Sequence, residues 1–228
     1  MRGLAVALLP ALLACSDADV FVPVGTWVRS EQTTTSAEAQ NYFNQGMALY
    51  YNFDWVRSAQ SFYEAERFDP ANAMIANGIS MSRMAMLSRN TDTSGIRDLI
   101  VHTKEVMAAQ NNIGDFERQY ITLSLINMEV NNDSASYAQQ RQRAMQQAAA
   151  LTAAYPKHPE SWMAAADTRG LYMIPGEDRR FIDSMTVVYL HQALVQKPDH
   201  FGAWHLLIHG YEALADFENC LQYGKLYT

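Results

Sequence analysis

The clearest signal along the chain is the return of apolar residues every three or four positions, broken by short polar turns, which predicts a series of amphipathic helices. From Ala37 the period runs to Tyr51, breaks at Asn52 to Asp54, and resumes to Phe68 before Asp69-Pro70 ends it. A second pair, Ala73 to Leu87 and Ile96 to Ala109, flanks the polar loop NTDTSG. A third, Asp115 to Val130 and Ser134 to Tyr155, is split by Asn131-Asn132-Asp133. A fourth, Pro159 to Met173 and Arg179 to Gln196, is split by Ile174-Pro175-Gly176. The last pair begins at Phe201, turns near Ala215-Asp216 and reaches Thr228 within its second helix. No segment alternates with period two for long enough to be a strand, so the expected fold is all-α, with ten helices in five pairs.

The first pair has a finer pattern. In YFNQGMALYYNFDWVRSAQSFYEAERFDP, Tyr42 to Pro70, Gly46 stands where the first helix must be thin. Phe62, Ala65 and Pro70 fall at the offsets that let a second helix lie against it and then stop. Pro156 followed by Trp162, and Pro198 followed by Trp204, repeat the spacing of a proline turn and a bulky residue. In the last pair Trp204, Leu207, Ile208 and Tyr211 form the stripe expected to dock on the preceding pair, and Cys220 takes a small-residue place at the helix crossing. Tyr42 to Pro70 resembles one complete tetratricopeptide (TPR) repeat. AERFDPANAMIANGISMS, FERQYITLSL, RAMQQAAALTAAYPKHPESW and KPDHFGAWHLLIHGYE resemble successive blocks of a family of exported bacterial TPR proteins, over roughly Ala37 to Glu212. The resemblance implies a TPR-like α-solenoid over residues 37–228, with a concave groove for a protein or peptide partner. Two departures are visible. Asn77 stands where the family tends to have an aromatic residue, and the chain stops where members usually continue, which suggests a truncated copy without its carboxyl-terminal cap.

The amino-terminal end reads differently. MRGLAVALLPALLAC has one positive charge at Arg2 and an apolar run from Leu4 to Ala14, too short to span a bilayer as a stable helix and suited to an export signal. Leu12-Leu13-Ala14-Cys15 resembles a bacterial lipobox, which implies cleavage after residue 14 and a lipid on the Cys15 sulfur. Residues 15–36, interrupted by Pro23 and Gly25, are expected to form a tether, with Phe21, Val22, Val24, Trp27 and Val28 available to pack on the first helix. Ser16 after the cysteine implies, by the same resemblance, sorting to the outer membrane and periplasm of the cell envelope.

Composition narrows the partners. At 228 residues and 49% hydrophobic, the chain can bury a substantial core. Its 17 basic against 24 acidic residues give a net charge of −7, and no Lys/Arg cluster provides a footprint for nucleic acid. Without Arg2, 16 basic residues remain against the same 24 acidic, a net −8. Acylation of Cys15 would leave Cys220 alone, so no internal disulfide is expected.

In a stacked array the first helix of each pair lines the concave side. Its groove-facing residues are expected to be Phe43, Met47, Tyr50 and Tyr51, then Asn77, Met81 and Met84, then Met163 and Asp167. Methionine is adaptable and polarizable, which suits a surface for an apolar peptide, and equally suits gap-filling between helices. A second candidate lies in the last pair, where His205, His209 and Glu212 fall at i, i+4 and i+7 on one helical face, about 100° or more from the docking stripe. Two imidazoles and a carboxylate one turn apart are the donor types for zinc or copper, with His200, His191 or Asp167 as further ligands, and raise the alternative of a metal-dependent hydrolase. Thioethers joining the histidines would favour copper. No phosphate-cradling glycine loop, GxSxG elbow or CxxC is present, and no catalytic residue is assigned. His102, His158, Arg179 and Arg180 are expected at the surface, and Cys220 as a small buried thiol.

Overall fold

A computed structural model describes residues 33–87, 94–132, 137–171 and 178–227. Among these the protein is all-α, with ten helices and no strand. They are α1 (Ala37–Tyr51), α2 (Trp55–Phe68), α3 (Ala73–Leu87), α4 (Ser94–Ala109), α5 (Asp115–Asn132), α6 (Tyr137–Ala154), α7 (Pro159–Leu171), α8 (Arg179–Gln196), α9 (Phe201–Ala213) and α10 (Phe217–Tyr227). The export signal, Cys15, nearly all of the tether and the Ile174-Pro175-Gly176 breaker lie outside the described residues. No described helix is long and apolar enough to cross a membrane.

The helix starts follow from capping chemistry. The Ala39 N–H donates to Ser36 Oγ at 3.2 Å, and the Arg57 N–H donates to Asp54 Oδ1 at 3.3 Å, each satisfying an orphan amide of the first turn. Two helix ends have the same stop. Phe53 and Ala215 adopt φ of 61° and 59°, the left-handed conformation in which non-glycine residues are disfavoured. In both, the following Asp amide bonds five residues back, from Asp54 to Leu49 and from Asp216 to Tyr211. This Schellman-type closure turns the chain sharply into the next helix.

Phe62 is the wedge that assembles the first three helices. It is fully buried, and a Cβ on Gly46 or Gly78 would lie 2.8 or 2.5 Å from its ring. The expected thin place on α1 is therefore real, and α3 has a second one against the same ring. Buried hydroxyls join neighbouring helices beside this wedge. Ser58 donates to the Gly46 carbonyl at 2.8 Å and lies 2.8 Å from Ser82, and Ser80 pairs with Thr103 at 2.7 Å. The described end of the tether is tied to the α2–α3 turn, where Thr34 donates to Asp69 at 2.6 Å and Asn72 donates to the Thr33 carbonyl at 2.7 Å.

Consecutive helices pack in order from α1 to α4 and from α5 to α10, and α4 touches α5. The odd-numbered helices also touch one another along α1, α3, α5 and α7. An open-ended stack would leave its first and ninth helices apart. Here α1 packs against α9, so the array closes on itself. A Cβ on Gly202 of α9 would lie 2.6 Å from the Tyr51 ring, which shows how close the approach is.

Two substitutions test this packing. Gly78→Ala forces a methyl into the Phe62 ring and should cost about 1–3 kcal/mol in urea unfolding. Ala215→Gly removes the left-handed strain at an exposed position and should raise stability by up to about 1 kcal/mol.

Candidate functional site

Closure of the array leaves a cavity of about 350 Å³. Its wall comes mostly from the first helices of the pairs: Tyr50 and Tyr51 of α1, Met81, Met84 and Ala85 of α3, Tyr120, Leu123, Ser124, Asn127 and Met128 of α5, Met163, Ala164 and Asp167 of α7, and Leu206 of α9. Phe53 and Trp55 complete it from the α1–α2 turn and the start of α2. Six of the nine residues expected in the groove thus meet around one space: Tyr50, Tyr51, Met81, Met84, Met163 and Asp167.

The other three do not border it. Phe43 is 1% exposed and packs edge-on against Phe62 with ring centroids 5.5 Å apart, and Met47 is buried in the same cluster. Asn77 is also buried, its amide donating to the Met81 sulfur at 3.2 Å. The reason is the Phe62 wedge, which draws α1 and α3 together at the level of Gly46 and Gly78. Only the carboxyl-terminal halves of those helices splay far enough to border a space.

The α5 lining was not anticipated from the sequence, although its signal is there. Tyr120, Leu123, Ser124, Asn127 and Met128 fall at i, i+3, i+4, i+7 and i+8, one helical stripe. The third pair, unlike the fourth and fifth, has no proline turn followed by a bulky aromatic to mark its register. Phe53 had no periodic signal because it reaches the cavity from a turn.

One polar network closes the seam between α1, α7 and α9. The Tyr51 hydroxyl donates to Glu160 Oε2 at 2.5 Å, and His200 Nε2 lies 2.9 Å from Glu160 Oε1. His200 is itself buried and its Nδ1 accepts the Ala203 N–H at 3.2 Å, capping α9. Burial alone would push the Glu160 carboxyl up. Attraction to His200, the hydrogen bonds from His200 and Tyr51, and attraction to His158 together outweigh burial and hold it below its ordinary value. The Tyr51 phenol is raised well above its usual range, chiefly by burial and then by the Glu160 charge, so it stays a neutral donor.

Asp167 has the opposite character. It lines the cavity and is exposed to the water there, while desolvation by the protein around it raises its pKa to about 6. The Tyr50 phenol is raised by burial and then by the Asp167 charge, and the Tyr120 phenol by burial with Glu160, Tyr50 and Asp167 adding to it.

His205 and His209 do meet, with their Nε2 atoms 3.2 Å apart. The His205 Nδ1–H donates to the Tyr51 carbonyl, and His209 Nδ1 lies 3.3 Å from Glu212 Oε2. Glu212 therefore sits on the far side of the His209 ring from the facing Nε2 pair, where it orients the imidazole and does not join the pair as a third donor. Phe53 packs over both rings, at 4.7 Å from His205 and 5.5 Å from His209. Burial, partly opposed by the Tyr51 carbonyl and reinforced by His209, lowers the His205 pKa. The further ligands considered are engaged elsewhere: His200 with Glu160, and His191 with the Tyr211 hydroxyl at 2.7 Å, while Asp167 faces the cavity. Among the described residues no group of three or more His, Cys, Asp or Glu side chains is arranged to hold a metal ion. Of the docking stripe, Leu207 is fully buried and Trp204 and Tyr211 pack against the core.

Comparison with protein-family models, with curated proteins and with solved structures found no match.

The seam makes a pH-dependent prediction. Because the folded-state pKa of Glu160 is lowered, its contribution is complete above the unfolded value near 4.5 and is lost as pH falls through the lower folded value. Tyr51→Phe removes one donor to Glu160. Stability at neutral pH should fall by about 1–3 kcal/mol, and the acid-unfolding midpoint should move to higher pH, both read by circular dichroism.

Proposed function

We propose that this chain is an exported, lipid-anchored binding protein of the bacterial cell envelope, built from TPR-like helical hairpins, whose inner cavity takes up an apolar portion of a protein or peptide partner. The observation that carries the reading is the lining itself, four methionines and five aromatic side chains around one space of about 350 Å³. A space of that size lies at the small end of ligand sites, about 300–1,000 Å³, so it suits one or two inserted side chains rather than a whole helix. Methionine side chains adjust to differently shaped apolar groups, and the aromatic rings add contact area at little entropic cost. The TPR resemblance of Tyr42 to Pro70 supports the hairpin architecture, and the lipobox-like Leu12 to Cys15 supports the anchor.

The rival reading, metal-dependent hydrolysis at His205, His209 and Glu212, has less support. Only two of the three donors face a common point.

Two experiments check the proposal. A photo-crosslinking amino acid at Met81 should capture a partner in intact cells, whereas the same label at the exposed Gln60 should not, and Ala164→Phe should abolish capture by filling the cavity. Equal capture at both positions would contradict a cavity-centred interaction. Cys15→Ala should prevent fatty-acid labelling and release the protein from the membrane fraction, and a variant that stays membrane-bound would remove the lipid anchor from the proposal.

A further inference from the structure

We infer that the group seated in the cavity carries a protonated amine on an apolar chain, with its ammonium held against the Asp167 carboxylate. The inference rests on the binding role proposed above and specifies the ligand's chemistry.

Among the described residues of the lining, Asp167 alone carries a formal charge near neutral pH; the rest are methionine, leucine, alanine, tyrosine, phenylalanine, tryptophan, serine and asparagine. Among the described residues, no hydrogen bond or ion pair engages its carboxylate. Among the described residues, no lysine or arginine lines the cavity to neutralise it. Asp167 is exposed to the water of the half-open cavity, and the protein crowded around it moves its pKa to about 6, so it is largely ionised at neutral pH. A ligand that fills the cavity displaces the water around this carboxylate, and a bound ammonium replaces that water with a counter-charge.

The surroundings select the same group. Tyr50, Tyr51, Phe53, Trp55 and Tyr120 border the space. Aromatic faces attract a cation through the ring quadrupole, and the effect grows when the cation is desolvated. The four methionine thioethers and Leu123 and Leu206 receive the apolar body that the amine ends. An anionic ligand would meet Asp167 as a like charge, and a neutral apolar one would leave it uncompensated.

A free amine and a lysine side chain of a partner share this chemistry, so the test has two arms. Isothermal titration calorimetry on the full chain compares 4-phenylbutylamine with 4-phenylbutanol and 4-phenylbutyrate. It also compares an N-acetylated, C-amidated leucine-rich peptide bearing one lysine with its norleucine counterpart. The expected result is a preference of at least about tenfold for the amine over the alcohol, abolished in Asp167→Asn. That preference should shrink as pH falls below about 6, where Asp167 takes up a proton. The phenols of Tyr50 from α1 and Tyr120 from α5 stay neutral over this range. Protonation of Glu160, His200, His205 and His209 is common to both proteins, so the difference between wild type and Asp167→Asn isolates the Asp167 contribution.

Preference for the lysine peptide over the norleucine peptide places the amine on a partner protein. Preference confined to 4-phenylbutylamine places it on a small molecule. Equal binding of amine and alcohol overturns the amine while leaving an apolar binding site in place. Binding by none of the probes overturns the inference, and the Met81 crosslink then decides separately whether a partner uses the cavity.

Should Asp167→Asn fold poorly, the same comparison is made with Asp167→Ser: loss of the amine preference supports the inference, and a preference that persists without the carboxylate overturns it.

Discussion

Tyr51 is the residue on which the arrangement turns. It ends α1 and engages the far part of the chain at three points: its ring presses on Gly202, its hydroxyl reaches Glu160 across 109 residues of sequence, and its carbonyl accepts from His205 across 154. The Glu160 carboxylate at the centre would be costly to withdraw from water alone. It is stabilised by His200 on one oxygen and Tyr51 on the other. A row of hairpins becomes a closed ring because this one seam is both packed and hydrogen-bonded.

The cavity is a consequence of that closure. Phe62 pulls α1, α2 and α3 together at their glycines, and the seam brings α9 to α1, so the remaining space is bordered by helix halves that neither contact can draw in. The left-handed conformation at Phe53 belongs to the same design. It turns the chain into α2 and places the Phe53 ring between the cavity and the His205–His209 pair. Ala215 adopts the same conformation at the equivalent turn of the last pair, where its side chain is exposed and carries no ring. The backbone device is thus repeated, and the aromatic use of it is particular to the first turn.

Much of this was legible in the sequence, for identifiable reasons. Helix bounds such as Ala37 to Tyr51 and Arg179 to Gln196 were readable because periodicity and strong stop signals coincide there. Gly46 and Phe62 were readable as a pair because a missing side chain opposite a large one has few other uses in a helix. The closure was not legible, since Tyr51, Glu160 and His200 share no local pattern and their meeting depends on the summed angles of every intervening hairpin. For the same reason Phe43, Met47 and Asn77 share a helical face with cavity residues, yet the crossing of α1, α2 and α3 covers them. Spacing puts His205, His209 and Glu212 on one helical face, but spacing does not say which ring nitrogen faces which neighbour.

Nuclear magnetic resonance offers the most direct check on closure. A nuclear Overhauser contact between the Tyr51 ring protons and the Gly202 α-protons is expected, alongside the local contact of Phe62 with Gly46. Observation of the Phe62 contact without the Tyr51 contact would mean that the hairpins fold but the array stays open, and the cavity would then be lost with the seam.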